Sequence, residues 1–198
     1  MIQKLCSCGL LVRLCSLVRL SSLGLLILGA NALRATEASD NDHWEFGLRA
    51  GGAITDNSFS LDGKVETLSL MRTLGPKRAI EFEVSADQLD FGIDYGLKHT
   101  SFSVNYLEIN REPLWDPYFL IGAGVIQFDS PEAIDKGTDA MVQAAVGGTW
   151  DLLQSGKLLF RADVRVRYDL NDSDQPGQDG FGDAILTFGL SVPFGDGK

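Results

Sequence analysis

Imidazole chemistry has two candidates in this sequence, His43 and His99. His99 is followed by Thr100 and Ser101, a base and a hydroxyl of the kind that makes an activated nucleophile. Residues two apart in a strand share a face, and a polar pair at the start of a strand accounts for this spacing without catalysis, so no catalytic residue is assigned. Cys6, Cys8 and Cys15 all fall within the first 15 residues, which excludes a zinc site or a disulfide framework spread through a fold. Asp169, Asn171, Asp172, Asp174 and Asp179 form an oxygen-rich stretch that suits divalent cations in type. The EF-hand spacing fails there, because Asp174 stands where glycine is required, and a solvated acidic loop is expected with no metal site. Gly122-Ala-Gly124 and Gly147-Gly148 lack the following helix of a nucleotide loop, so no cofactor is expected. With 17 Lys and Arg against 27 Asp and Glu, a formal charge of −10 and a pI near 4.6, the chain lacks the basic surface that phosphate backbones need, which excludes a nucleic-acid binder.

The remaining charges with a pattern are Glu45, Arg49, Glu81, Glu83, Arg161, Asp163, Arg165 and Arg167. Each alternates with apolar neighbours. Leu158, Phe160, Ala162, Val164, Val166 and Tyr168 share one face of a strand, and the three arginines share the other. Trp44, Phe46, Leu48 and Ala50 alternate likewise with Glu45 and Arg49, and Ala184 to Phe194 repeats the pattern. Adding 65–74, 79–86, 98–109, 118–128 and 140–150 gives an all-β chain of eight strands. In the second, Leu68, Leu70 and Leu74 share a face with Glu66 and Arg72, so a bulge or a shifted end is expected there.

A length of 198 residues suits one domain preceded by a targeting segment. Lys4, Arg13 and Arg19 precede an apolar stretch that ends in Ala30-Asn31-Ala32, the order of a secretory signal peptide. The expected organisation is a signal peptide over 1–32, a short periplasmic segment over 33–42, a barrel over 43–195 and a tail over 196–198. Residues 1–32 hold three of the 17 bases and none of the 27 acids, so the rest carries a formal −13 and no cysteine. A secreted domain without disulfides needs a sizeable core or a closed hydrogen-bonded sheet.

Connections after the first, third, fifth and seventh strands read as long and acidic, and those after the second, fourth and sixth as short. That alternation is expected of an up-and-down outer-membrane barrel with both termini in the periplasm. Trp44, Trp150, Tyr168 and Phe194 stand at strand ends on the apolar face, where an aromatic girdle would lie. Four acids against four arginines on the other face suit a narrow interior closed by ion pairs. In the last strand, Thr187, Gly189, Val192 and Phe194 have the polar, glycine, apolar and terminal aromatic order of a signal for outer-membrane assembly.

Phe160 to Tyr168, Asp116 to Val125 and Gly189 to Gly195 resemble the OmpA-type family of eight-stranded outer-membrane barrels, over nearly all of the chain beyond residue 32. The resemblance implies an antiparallel up-and-down transmembrane barrel with a polar, largely plugged interior, in the Gram-negative outer membrane. Its partners would be outer-membrane lipid and lipopolysaccharide and the barrel-assembly machinery, with divalent cations at the acidic loops. The protein is expected to be a monomer. The sequence stops four residues after Phe194, and the peptidoglycan-binding domain of full-length OmpA proteins is expected to be absent. A structural or surface-interaction role is expected. The alternatives are a narrow diffusion pore, a soluble secreted barrel, and a lipid A-modifying hydrolase, for which the deacylase barrels offer His99 and Ser101 no matching position.

Overall fold

The computed structural model describes residues 43–55, 63–90, 96–129, 138–170 and 182–195, so the signal peptide, the segment over 33–42 and the tail expected from the sequence lie outside the described residues. The described residues form eight strands: β1 (Trp44–Thr55), β2 (Gly63–Thr73), β3 (Arg78–Asp90), β4 (Gly96–Ile109), β5 (Asp116–Asp129), β6 (Thr138–Asp151), β7 (Leu159–Asp169) and β8 (Gly182–Phe194). Each runs antiparallel to the one before it, and β8 pairs with β1, closing the sheet into a barrel with no free edge.

Alternation decides which side chains face inward. Along β7, Arg161, Asp163, Arg165 and Arg167 are buried while Val164 and Val166 are exposed. Leu48 is 61% exposed, Val146 60% and Val166 62%, values that a water-soluble core would never leave all round a molecule. The apolar face is therefore the outside of the barrel. In the β2–β4 sector it is bounded by exposed Lys64, Glu66 and Lys98 at one end and by Arg78 and Glu108 at the other, with Leu68, Leu70, Phe82, Val84, Phe102 and Val104 between.

Three expectations are corrected and one pair of alternatives is decided. β2 carries no bulge; its ends are shifted instead, from 65–74 to Gly63–Thr73, with a register to β1 that is unbroken from Gly63 to Arg72. Glu66 and Arg72 share the leucine face because they flank its apolar band from opposite ends, and the Arg72 guanidinium lies 5.5 Å over the Trp44 ring. The strands also run further than the hydrophobic pattern does, since β3 continues to Asp90 and β4 begins at Gly96, so the connection over 91–95 is shorter than that over 110–115. Backbone pairing needs no apolar side chain, and Asp87 and Gln88 pair in register with His99 and Lys98. Asp87, Asp169 and Asp183, just beyond the strand ends read from the sequence, thus lie in strands and are buried. Finally, the interior is not uniformly polar. Met71, Ala79, Leu107, Ile109, Tyr118, Leu120 and Ala145 form one inward apolar cluster, and Ala53, Val65 and Ile185 form another.

Candidate functional site: the charged lumen

Three strands supply the centre of the lumen. β1 contributes Arg49, which donates from Nη2 to Glu83 Oε2 at 2.5 Å and Glu81 Oε1 at 3.2 Å on β3, and from Nη1 to Asp163 Oδ2 at 3.0 Å on β7. These strands are not sheet neighbours, so the guanidinium bridges the bore. Its stem has room because Gly189 is its register partner on β8; a Cβ there would stand 2.7 Å from Arg49 Cγ and 2.0 Å from the Leu48 carbonyl oxygen.

Around this centre each arginine of β7 takes a different level. Arg161 donates to both carboxylate oxygens of Glu81, at 2.6 and 3.1 Å, and from Nε to the Tyr118 hydroxyl at 2.8 Å. Tyr118 in turn donates to Asp163 Oδ2 at 2.9 Å, and its ring lies 4.6 Å below the Arg161 guanidinium carbon. The ring also lies over Gly147, where a Cβ would meet it at 2.6 Å. Arg165 pairs with Glu83 and donates to Gln143 Oε1 at 3.2 Å, while Gln143 donates to Ser103 and Asn105. Arg167 donates to Asp87 Oδ2 at 2.5 Å and Asp183 Oδ2 at 2.7 Å, and lies 2.7 Å from His99 Nε2.

Arg49, Glu81, Glu83, Arg161, Asp163, Arg165 and Arg167, seven of the eight charges named from the sequence, are joined in ion pairs. Glu45 is not: although only 3% exposed, it makes no ion pair with a described residue. Two residues further along β1, Gly47 separates it from Arg49, whose guanidinium reaches towards β3 and β7 instead. Sequence reasoning missed Asp87, Asp183, Tyr118, Gln143 and His99. The parity of Asp87 with Glu81 and Glu83 was the available signal, since all three are odd-numbered residues of one strand and share its face.

Each good buried arginine–carboxylate pair joins a planar fork to a matching acceptor. Their joint effect here is to occupy the bore with pairs that must separate before anything passes. The arrangement does not form a nucleophile relay. His99 Nε2 lies 2.7 Å from Asp87 Oδ2 and Ser85 donates to the same carboxylate, so the acid stands between imidazole and hydroxyl. Activation of a serine needs the imidazole in the middle. Ser101 shares the buried inner face with His99, away from the apolar exterior where a lipid would lie. Among the described residues no three acidic, histidine or cysteine side chains are grouped to hold a metal ion, and most of the acidic stretch after Asp169 lies outside them.

Of the expected assembly residues, Thr187 faces inward and donates to Asp163 Oδ1 at 3.1 Å, and Gly189 faces Arg49. Val192 and Phe194 are exposed on the outer face, with Phe194 directly opposite Trp44. The girdle is dense at this end: Trp115 stacks on Trp150 with centroids 5.2 Å apart, and Trp150 meets Phe160 at 5.7 Å. Tyr168 lies at the other end of the barrel.

No family profile and no curated protein matches the chain. Solved structures do. The crystal structure of Neisserial surface protein A is similar at 12% identity with a TM-score of 0.64, over 76% of this chain and 97% of that one. The outer membrane enzyme PagL is similar at 15% identity with a TM-score of 0.53, over 76% of this chain and 99% of that one. The chain thus has the fold of the small eight-stranded outer-membrane barrels.

Proposed function

We propose that the protein is a Gram-negative outer-membrane barrel that works as a closed structural and surface-interaction element, delivered by a cleaved signal peptide. The observation that carries this reading is the Arg49 bridge, which ties β1 to β3 and β7 across the bore and leaves the outer face as the apolar surface. Eight strands enclose an interior just wide enough for side chains. Here those side chains are mutually neutralising, so contact with partners falls to the connections at the end of β1, β3, β5 and β7. The likeness to PagL supports the fold and carries no catalysis across, and the inward orientation of His99 and Ser101 favours a non-enzymatic role.

Cell fractionation with planar-bilayer recording tests the reading. The protein should pellet with outer membranes, migrate faster on a gel when unheated than when boiled, and give no stable ohmic steps. Steady conductance would replace the closed element with a diffusion pore, and recovery in the soluble periplasmic fraction would remove the membrane reading altogether.

A further inference from the structure

At the short-turn end, below the arginine network, lies a partly open cavity of about 360 Å³. That volume lies within the range of small-molecule sites. Glu45 lines it and is 3% exposed. Glu81, Glu83, Asp87, Asp163 and Asp183 each hold an arginine, whereas Glu45 makes no ion pair or hydrogen bond with another described residue. The other acids at the cavity are already satisfied. Asp116 pairs with Arg111, and Asp151 accepts from the backbone N–H of Leu153 at 3.0 Å and of Gly156 at 2.7 Å. The Glu45 carboxylate therefore faces the partly open cavity with no ion-pair partner among the described residues, while Arg111 in the same lining is held by Asp116, so a cation entering the cavity gains a charge-assisted contact with Glu45.

The walls narrow the class of cation. Met71, Ile109 and Leu159 offer apolar surface, and Thr73 and Thr149 lie among the lining residues. A metal ion needs several hard oxygen ligands in one shell, which no group of described residues provides. We infer that the cavity binds a small aliphatic ammonium ion, whose charged head meets Glu45 and whose methylene stem packs on Met71, Ile109 and Leu159. Site and ligand are both at the end opposite the acidic loops, so this inference goes beyond the closed-element reading. It is also independent of which compartment the cavity meets.

The test uses the whole barrel folded in a zwitterionic detergent, with heat-modifiable migration as the check of folding and 1,4-diaminobutane as the probe in calorimetric titration. Saturable one-to-one binding is expected, with no binding of the neutral isostere 1,4-butanediol at matched ionic strength. Glu45→Gln should weaken binding about tenfold or more, the scale of a lost charge-assisted contact. Met71 is the register partner of Glu45 on β2, so Met71→Lys should supply an internal ammonium and block the probe, a second measurement that holds if Glu45→Gln fails to fold. Asp172, Asp174 and Asp179 changed together to Asn should leave binding intact. Unsaturable binding, equal affinity for the diol, undiminished binding by Glu45→Gln or Met71→Lys, or loss in the loop variant would each overturn the inference.

Discussion

Removing the Arg161 side chain would leave the Glu81 carboxylate, fully enclosed and held through both oxygens, facing Arg49 alone. Breaking a buried pair from one side typically costs about 3–5 kcal/mol, because the remaining charge keeps its desolvation and loses its compensation. Arg161→Ala should therefore lower stability by roughly that amount in urea unfolding from detergent. Changing both Arg161 and Glu81 to Ala should cost less than the sum of the two single changes. Strict additivity would mean the two side chains do not meet in the folded protein. Gly189→Ala tests the same centre from the backbone side. Its Cβ would press on the Leu48 carbonyl and on the stem of Arg49, so the variant should unfold at lower urea than the parent, and an unchanged midpoint would disprove the close fit.

At the scale of the element, β8 has two duties that its alternating faces keep apart. Thr187 and Gly189 serve the interior, one bonded to Asp163 and the other making room for Arg49, while Val192 and Phe194 face outward at the closing seam with β1. If the outward pair is also what the assembly machinery reads, Phe194→Ala should lower the amount of protein in the outer membrane while export from the cytoplasm continues. Thr187→Val, which touches only the interior, should leave abundance nearer the parent. Quantitative blotting of outer-membrane and periplasmic fractions separates the two, and normal abundance of Phe194→Ala would sink the assembly role. The same separation of faces explains Trp44, which meets Phe194 across the seam and carries the Arg72 guanidinium on its ring. Cation–π contact lets a charged side chain sit at the edge of the apolar band.

At the scale of the whole molecule, the formal charge of −13 beyond residue 32 is divided between the bore and the connections. Inside, the seven buried acids Glu45, Glu81, Glu83, Asp87, Asp163, Asp169 and Asp183 stand against four arginines, a formal −3 with His99 neutral. Most of the excess of acid therefore resides elsewhere, and Asp172, Asp174 and Asp179 follow the end of β7. Divalent cations bridge such carboxylates to anionic lipid phosphates. Millimolar Ca²⁺ or Mg²⁺ should raise the unfolding temperature of the barrel in a lipopolysaccharide-containing membrane at fixed ionic strength, and changing the three aspartates to Asn should shrink the rise. Melting curves that ignore the ions would leave the acids with solubility as their only task.

Period-two alternation in Trp44–Ala50, Leu158–Tyr168 and Ala184–Phe194 fixed strand number, class and the two faces, because a strand offers its side chains only two directions. It also marked Arg161, Arg165 and Arg167 as companions on one face. What alternation leaves open is distance around the barrel: nothing along the chain says that Arg49 reaches Asp163, 114 residues away, or that it turns from Glu45, four residues away. Register across eight seams settled that. Closure brings β1, β3 and β7 to a common level, where Arg49 lowers its energy most by meeting three carboxylates at once, and Glu45 is left facing the cavity at the end of the bore. Partner choice inside a barrel is a property of shear and closure, which depend on hydrogen bonds between backbones and are written in no single strand.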